Sequence, residues 1–194
     1  MKRKHQLPFA LTTLRLLLGP IALACAFAGV TRFVYLPILI TGTLSDIFDG
    51  ILARKFGVAT PRLRRYDSIT DIIYYLFILG VAWLLCKPVI IGNLRLIALI
   101  LLSEAGCIFI CFIRFGKFPA THSLLAKIYG LCLLGCLIAL LVFNAGNWAI
   151  LTLALVAIVT NSEITVMHLI PNAPPVDVPG ILVLAKRQRQ SRSG

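Results

Sequence analysis

The chain has 194 residues, 59% of them hydrophobic, with a mean hydropathy of +0.95 and a formal net charge of +12. Soluble domains are nearer half apolar and carry about twice this share of charged residues, so a water-soluble globule is excluded. The excess of base does not point to nucleic acid, because no stacking module or soluble basic face accompanies it; it is the orienting charge of a membrane protein and an attraction for anionic lipid.

The apolar residues come in runs close to the roughly 20 residues that span a bilayer as a helix. In chain order the spans are predicted at 9–30, 34–53, 67–86, 92–113, 124–144 and 148–170. The opening "MKRKHQLPFALTTLRLLLGP" resembles a signal peptide, but its apolar run continues to about residue 30 without a convincing cleavage site. It reads as a retained first span. After the sixth span comes "PNAPPVDVPG", which cannot continue a helix. A short apolar piece, 181–185, and the tail "KRQRQSRSG" follow. The expected architecture is an all-α membrane protein of six transmembrane helices. Residues 1–170 form the membrane domain, and 171–194 a Pro-rich segment and basic tail.

Lys and Arg sort to one side of these spans. Lys2, Arg3 and Lys4 precede the first, and Arg54, Lys55, Arg62, Arg64 and Arg65 join the second and third. Arg114, Lys117 and Lys127 lie between the fourth and fifth, and Lys186, Arg187, Arg189 and Arg192 are in the tail. The other side has Arg32, Lys87 and Arg95. By the positive-inside rule both termini are cytoplasmic, in agreement with an even number of spans. A bacterial cytoplasmic membrane is the expected location.

Six cysteines lie among the apolar runs. The pairs Cys107/Cys111 and Cys132/Cys136 are each four apart, on one helical face, but no histidine stands beside them to complete a metal site. They read as small packing residues of membrane helices. Glu104, in "LLSEAGC", is read as hydrogen-bonded to another helix rather than catalytic, and "NSEIT" around Glu163 as a polar kink. Arg15, inside the first span, is expected to face a cavity rather than lipid, because an arginine in hydrocarbon is costly.

One segment breaks the pattern. Of seven acidic residues, four lie in "SDIFDGILARKFGVATPRLRRYDSITD": Asp46, Asp49, Asp67 and Asp71. Asp46 and Asp49 are three apart and share a helical face with Gly50, Ala53 and Arg54. Asp67 and Asp71 are four apart and share another, across a loop of about a dozen residues. If the faces meet, four carboxylates converge, and their repulsion calls for cations. Mg²⁺ takes carboxylates, water and substrate phosphates, and a two-metal site clamping a phosphate linkage is a natural outcome. Gly50 and Ala53 leave room for close approach of a ligand, and Arg54 offers a fork of donors to phosphate.

These residues resemble the CDP-alcohol phosphotransferase (CDP-alcohol phosphatidyltransferase) family, whose motif is D-x-x-D-G-x-x-A-R, eight residues, G, three residues, D, three residues, D. Asp46, Asp49, Gly50, Ala53, Arg54, Asp67 and Asp71 stand at its spacing, and Leu63 takes the place of the second glycine. "LPFALTTLRLLLGP" is similar to the family's P-N-x-x-T-x-x-R opening in Pro8, Thr12 and Arg15, with Phe9 in place of asparagine. The resemblance implies that Asp46, Asp49, Asp67 and Asp71 hold two Mg²⁺ or Mn²⁺ ions, with Asp71 also the general base. It implies that Gly50, Ala53, Arg54 and Thr12 line the nucleotide. The expected reaction moves a phosphatidyl group from CDP-diacylglycerol to a hydroxyl acceptor with release of CMP. Homodimers are common in the family.

Acceptor choice is expected outside the motif, in "RFGKFPATHSLLAKIYG", where Arg114, Lys117, His122, Ser123 and Lys127 offer donors to a phosphate or polyol. The same run also reads as orienting charge plus a hydroxyl helix cap. The alternatives are transfer of a phospho-alcohol from a soluble CDP-alcohol to a lipid, a divalent-cation transporter using the four aspartates, and an inactive relative.

Overall fold

The structure, a computed structural model, describes residues 2–58, 60–116, 123–169, 180 and 183. Among them are no strands and six helices long and apolar enough to cross a membrane. These are α1 (Lys2–Phe27), α2 (Tyr35–Lys55), α3 (Pro61–Gly92), α4 (Leu94–Phe115), α5 (Leu124–Leu141) and α6 (Asn147–Leu169). The all-α, six-helix expectation holds. The chain forms two compact units, one of Met1–Ile90 with Leu137–Ala145, the other of Ile91–Cys136 with Gly146–Gly194.

In the first unit α1 packs along α2. Leu39, Ile78, Val81 and Leu141 are fully buried within it, whereas Leu17, Phe27, Leu76 and Leu79 are exposed. That arrangement suits a lipid solvent, where apolar side chains gain nothing by hiding and close contact between small and large residues drives packing. Gly42 of α2 makes such a contact: a Cβ built there would lie 2.5 Å from the Tyr74 hydroxyl oxygen of α3.

The connection between α2 and α3 is tighter than the dozen-residue loop expected. Gly57 takes φ +66, the left-handed conformation that ends many helices. The Gly57 N–H donates to Arg54 O (3.1 Å) and the Val58 N–H to Ala53 O (2.9 Å), a Schellman closure with Val58 buried. Three residues later Thr60 caps α3, its Oγ1 accepting the Leu63 N–H at 3.2 Å. Pro61 follows as first helical residue, where its missing N–H is not needed. So α3 starts at Pro61 rather than 67, and residues 56–60 alone join the helices.

At its far end α3 passes the expected limit of 86 and reaches Gly92. Pro88 breaks the regular bonding, and Cys86 leaves helical geometry (φ −133°, ψ 24°). Arg32, in a short 3₁₀ turn (Arg32–Val34), satisfies one carbonyl at the kink and ties it to the end of α5. It donates to Leu85 O (2.9 Å), Leu141 O (3.4 Å) and Asn144 Oδ1 (3.2 Å). The Cys86 thiol donates to Leu140 O at 3.2 Å. A kink whose freed groups are re-satisfied this way is tolerated in a membrane helix.

In the second unit α4 packs along α6. Polar side chains join its helices: Asn161 Nδ2 donates to Ser103 Oγ (2.9 Å), and the Tyr129 hydroxyl to Glu104. Glu104 thus has the interhelical partner expected of it, the hydroxyl of Tyr129. Asn93 Nδ2 donates to Asn147 Oδ1 at 2.7 Å, tying the starts of α4 and α6. None of the six cysteines is in a disulfide.

Candidate metal centre

The site is built from α1, α2 and α3 of the first unit. The i, i+3 spacing on α2 puts Asp46 and Asp49 on one face, and the cap at Thr60 sets α3 so that Asp67 returns beside them. One carboxylate oxygen from each of Asp46, Asp49 and Asp67 lies within 4.8 Å of the other two. Asp49 is buried, Asp67 intermediate and Asp46 exposed. The set is therefore reached from one side and closed on the other.

Arg15 of α1 closes the cluster. Its side chain is 2% exposed. Nη1 donates to Asp46 Oδ1 (2.9 Å), and Nη2 donates to Asp49 Oδ2 (2.6 Å) and Asp67 Oδ1 (3.0 Å). Nη1 also meets Asp71 Oδ1. One guanidinium thus touches all four aspartates. Charge-assisted bonds of this kind are the strong ones, and a buried charge without them is very costly. Thr12, one turn before Arg15 and buried, places its Oγ1 3.0 Å from Asp49 Oδ2 and 3.1 Å from Pro8 O. It helps to fix the most enclosed carboxylate.

Around this hub the remaining motif residues are arranged on α2. Ala53 is buried and Gly50 partly so. Arg54 is exposed and folds back, its guanidinium nitrogens 3.7 and 3.8 Å from where a Cβ of Gly50 would stand. Beside Asp67, Tyr66 stacks on Phe9 (centroids 4.9 Å apart, planes at 19°) and shares a hydrogen bond of 3.1 Å with Thr13. Both departures from the motif, Phe9 and Leu63, therefore belong to the face on which Tyr66 sits, Leu63 lying one turn before it on α3.

Arg114, Ser123 and Lys127 of the expected acceptor residues belong to the second unit. Arg114 is exposed at the end of α4, with its guanidinium 5.7 Å from the centre of the Phe115 ring. Ser123 is fully buried and caps α5, accepting the Ala126 N–H at 3.1 Å. Lys127 is exposed. Lys117 and His122 lie outside the described residues.

The donor set fits a divalent cation. Its ligands are hard carboxylate oxygens, close enough to share an ion, and Arg15 offsets only one of four negative charges. Sequence reasoning placed Arg15 towards a cavity but did not make it a site residue, nor did it foresee Tyr66 and Phe9. The signal for Arg15 was its cost in hydrocarbon, which demands partners. The Tyr66–Phe9 stack had none, since aromatic residues at a membrane boundary are common for other reasons.

Residues 5–160 match the sequence model of the CDP-alcohol phosphatidyltransferase family. No curated protein and no solved structure matches the chain.

Proposed function

The chain belongs to the CDP-alcohol phosphatidyltransferase family, and from that premise we propose that it moves a phosphatidyl group from CDP-diacylglycerol to a hydroxyl acceptor. The observation that carries the proposal is the convergence of Asp46, Asp49, Asp67 and Asp71 on a single buried cation. A structural ion pair needs one carboxylate per arginine; four leave a surplus of negative charge that suits metal-assisted phosphoryl chemistry.

Asp46, Asp49, Asp67 and Asp71 would hold two ions, Mg²⁺ or Mn²⁺. Bound there, the ions would offset charge on the diphosphate and on the departing CMP. Asp71 takes the proton of the acceptor hydroxyl as general base. The acceptor oxygen then forms a bond to the lipid-bearing phosphorus, and the bond from that phosphorus to the bridging oxygen breaks. CMP leaves with the bond's electrons. Gly50 and Ala53 let the nucleotide lie close to α2, Arg54 meets a phosphate, and Thr12 holds Asp49 in place for it. Arg114, Lys117, His122 and Lys127 are proposed for the acceptor, whereas the buried Ser123 hydroxyl is engaged in capping α5.

The six-helix domain of residues 1–170 would lie in a cytoplasmic membrane with both termini and the aspartates at the inner face. The donor's tails then enter from the bilayer and the acceptor from the cytoplasm. The test is purified protein with labelled CDP-diacylglycerol, Mg²⁺ and a panel of alcohols, following CMP. Acceptor-dependent CMP from the wild type and none from Asp71→Asn is expected. CMP only when a soluble CDP-alcohol and diacylglycerol are supplied would reverse the assignment of donor. Absence of CMP from every pair would overturn the enzyme reading, and cation flux into liposomes would replace it with transport.

A further inference from the structure

We infer that Arg15 is a phosphate ligand that exchanges partners, binding the four carboxylates when no dication is bound and the substrate diphosphate when dications are. The inference rests on the reading of this centre as a dication-dependent phosphatidyl-transfer site. Three features of the structure carry it.

First, the bonds of Arg15 are made to the very groups a dication would use. Its two terminal nitrogens donate to one oxygen each of Asp46, Asp49 and Asp67 and form an ion pair with Asp71. A cation drawing on these carboxylates competes with the guanidinium for them, and two like charges cannot share the cluster without repulsion. Second, the Arg15 Nε–H is buried and has no hydrogen-bond partner. A buried donor left unmade is costly, so this conformation does not use all that the side chain offers. The Nε–H and the adjacent Nη form the fork that fits two oxygens of a phosphate, and turning the fork to such an anion satisfies the atom the carboxylates leave unpaired. Third, the charges call for it. With Arg15 alone the four carboxylates are three negative charges in excess, which repels a diphosphate. Two dications make the same cluster net positive by one, and Arg15 is part of that surplus. A guanidinium held by α1, which supplies none of the four carboxylates, can change partners without moving α2 or α3.

The partner exchange predicts effects of opposite sign on two ligands, which a merely structural arginine would not produce. Removing the charge should strengthen Mn²⁺ binding, because a competitor is gone, and weaken nucleotide binding in saturating Mn²⁺, because a phosphate ligand is gone. The probes are Mn²⁺ alone, followed by spin resonance of the free ion, and CDP with Mn²⁺, followed by calorimetry, on full-length protein in detergent. Arg15→Met should bind Mn²⁺ at least fivefold more tightly and CDP at least tenfold more weakly than the wild type. Arg15→Lys keeps the charge but not the fork. It should leave Mn²⁺ affinity within about twofold, while CDP binding falls at least tenfold. If Arg15→Met cannot be purified without Mn²⁺, purification in Mn²⁺ leaves the CDP comparison intact, and Arg15→Lys carries the metal comparison. CDP affinity within twofold of the wild type in both variants overturns the inference and leaves the metal centre standing. Failure of the wild type to bind Mn²⁺ overturns both.

Discussion

Asp71 differs from its three companions in what its loss should do. In the proposed role of base it would remove a proton from the acceptor, so Asp71→Asn should lower kcat by about 10²–10⁴-fold. It should keep most of the Mn²⁺-dependent rise in melting temperature, because Asp46, Asp49 and Asp67 remain. Asp49→Asn, at the most enclosed carboxylate, should abolish both, and equal loss of Mn²⁺ stabilisation in the two variants would remove the distinction. Leu63 raises a different question. Its N–H is held by Thr60 at 3.2 Å, so the backbone there is already set by the helix cap. Leu63→Gly should cost about 0.5–1 kcal/mol of stability, the penalty of glycine in a helix. It should lower KM for CDP-diacylglycerol with little change in kcat; an unchanged KM would show that the side chain does not border the nucleotide. At this scale the sequence was most legible where residues are close along the chain. The aspartates announce themselves by spacings of three and four. Arg15 meets them across 31 and 34 positions in its bonds to Asp46 and Asp49, and no periodicity reports a contact of that range.

Among the elements, α3 shows where sequence reading stops. The third span is expected to end at 86, yet the helix continues past Pro88 to Gly92, with Arg32 bonded to Leu85 O and the Cys86 thiol to Leu140 O, contacts that no local pattern reports. The start of α3 was likewise read too late: the charged residues 62, 64 and 65 look like a loop, whereas Thr60 and Pro61 form a cap and a first helical turn. The membrane spans themselves were plain from hydropathy, since a lipid-facing helix must be apolar along its length. Two outcomes test the packing of the first unit. Gly42→Ala places a Cβ 2.5 Å from the Tyr74 hydroxyl, an overpacking expected to cost about 1–3 kcal/mol. Tyr74→Phe should restore only part of it, because the ring carbon bearing the hydroxyl would still lie at 2.7 Å. Full recovery, or no loss of melting temperature in the single variant, would contradict the close approach of α2 and α3.

For the whole molecule the testable property is its orientation. Lys55 and Lys87 are both exposed, at the end of α2 and near the far end of α3. In a background without the native thiols, Lys87→Cys should react with a membrane-impermeant maleimide in intact cells, and Lys55→Cys only after lysis. The reverse pattern would turn the aspartates outwards.

The single guanidinium that ties α1 to four aspartates also has a history within each molecule. During synthesis α1 emerges from the ribosome before any of those aspartates does, so Arg15 reaches the insertion machinery without a counter-ion. An arginine at the centre of a lone helix adds about 2.5–3.5 kcal/mol to the cost of insertion, and Arg15, nearer the end that carries the aspartates, would add part of that. The first helix would then be a weaker anchor until α2 arrives with Asp46 and Asp49, and the two would enter the bilayer as a hairpin. Chains cut before residue 46 and extended by a neutral linker that lets α1 clear the ribosome should integrate incompletely, and Arg15→Leu should restore them. An enzyme's charge cluster would then also be a checkpoint in its own biogenesis.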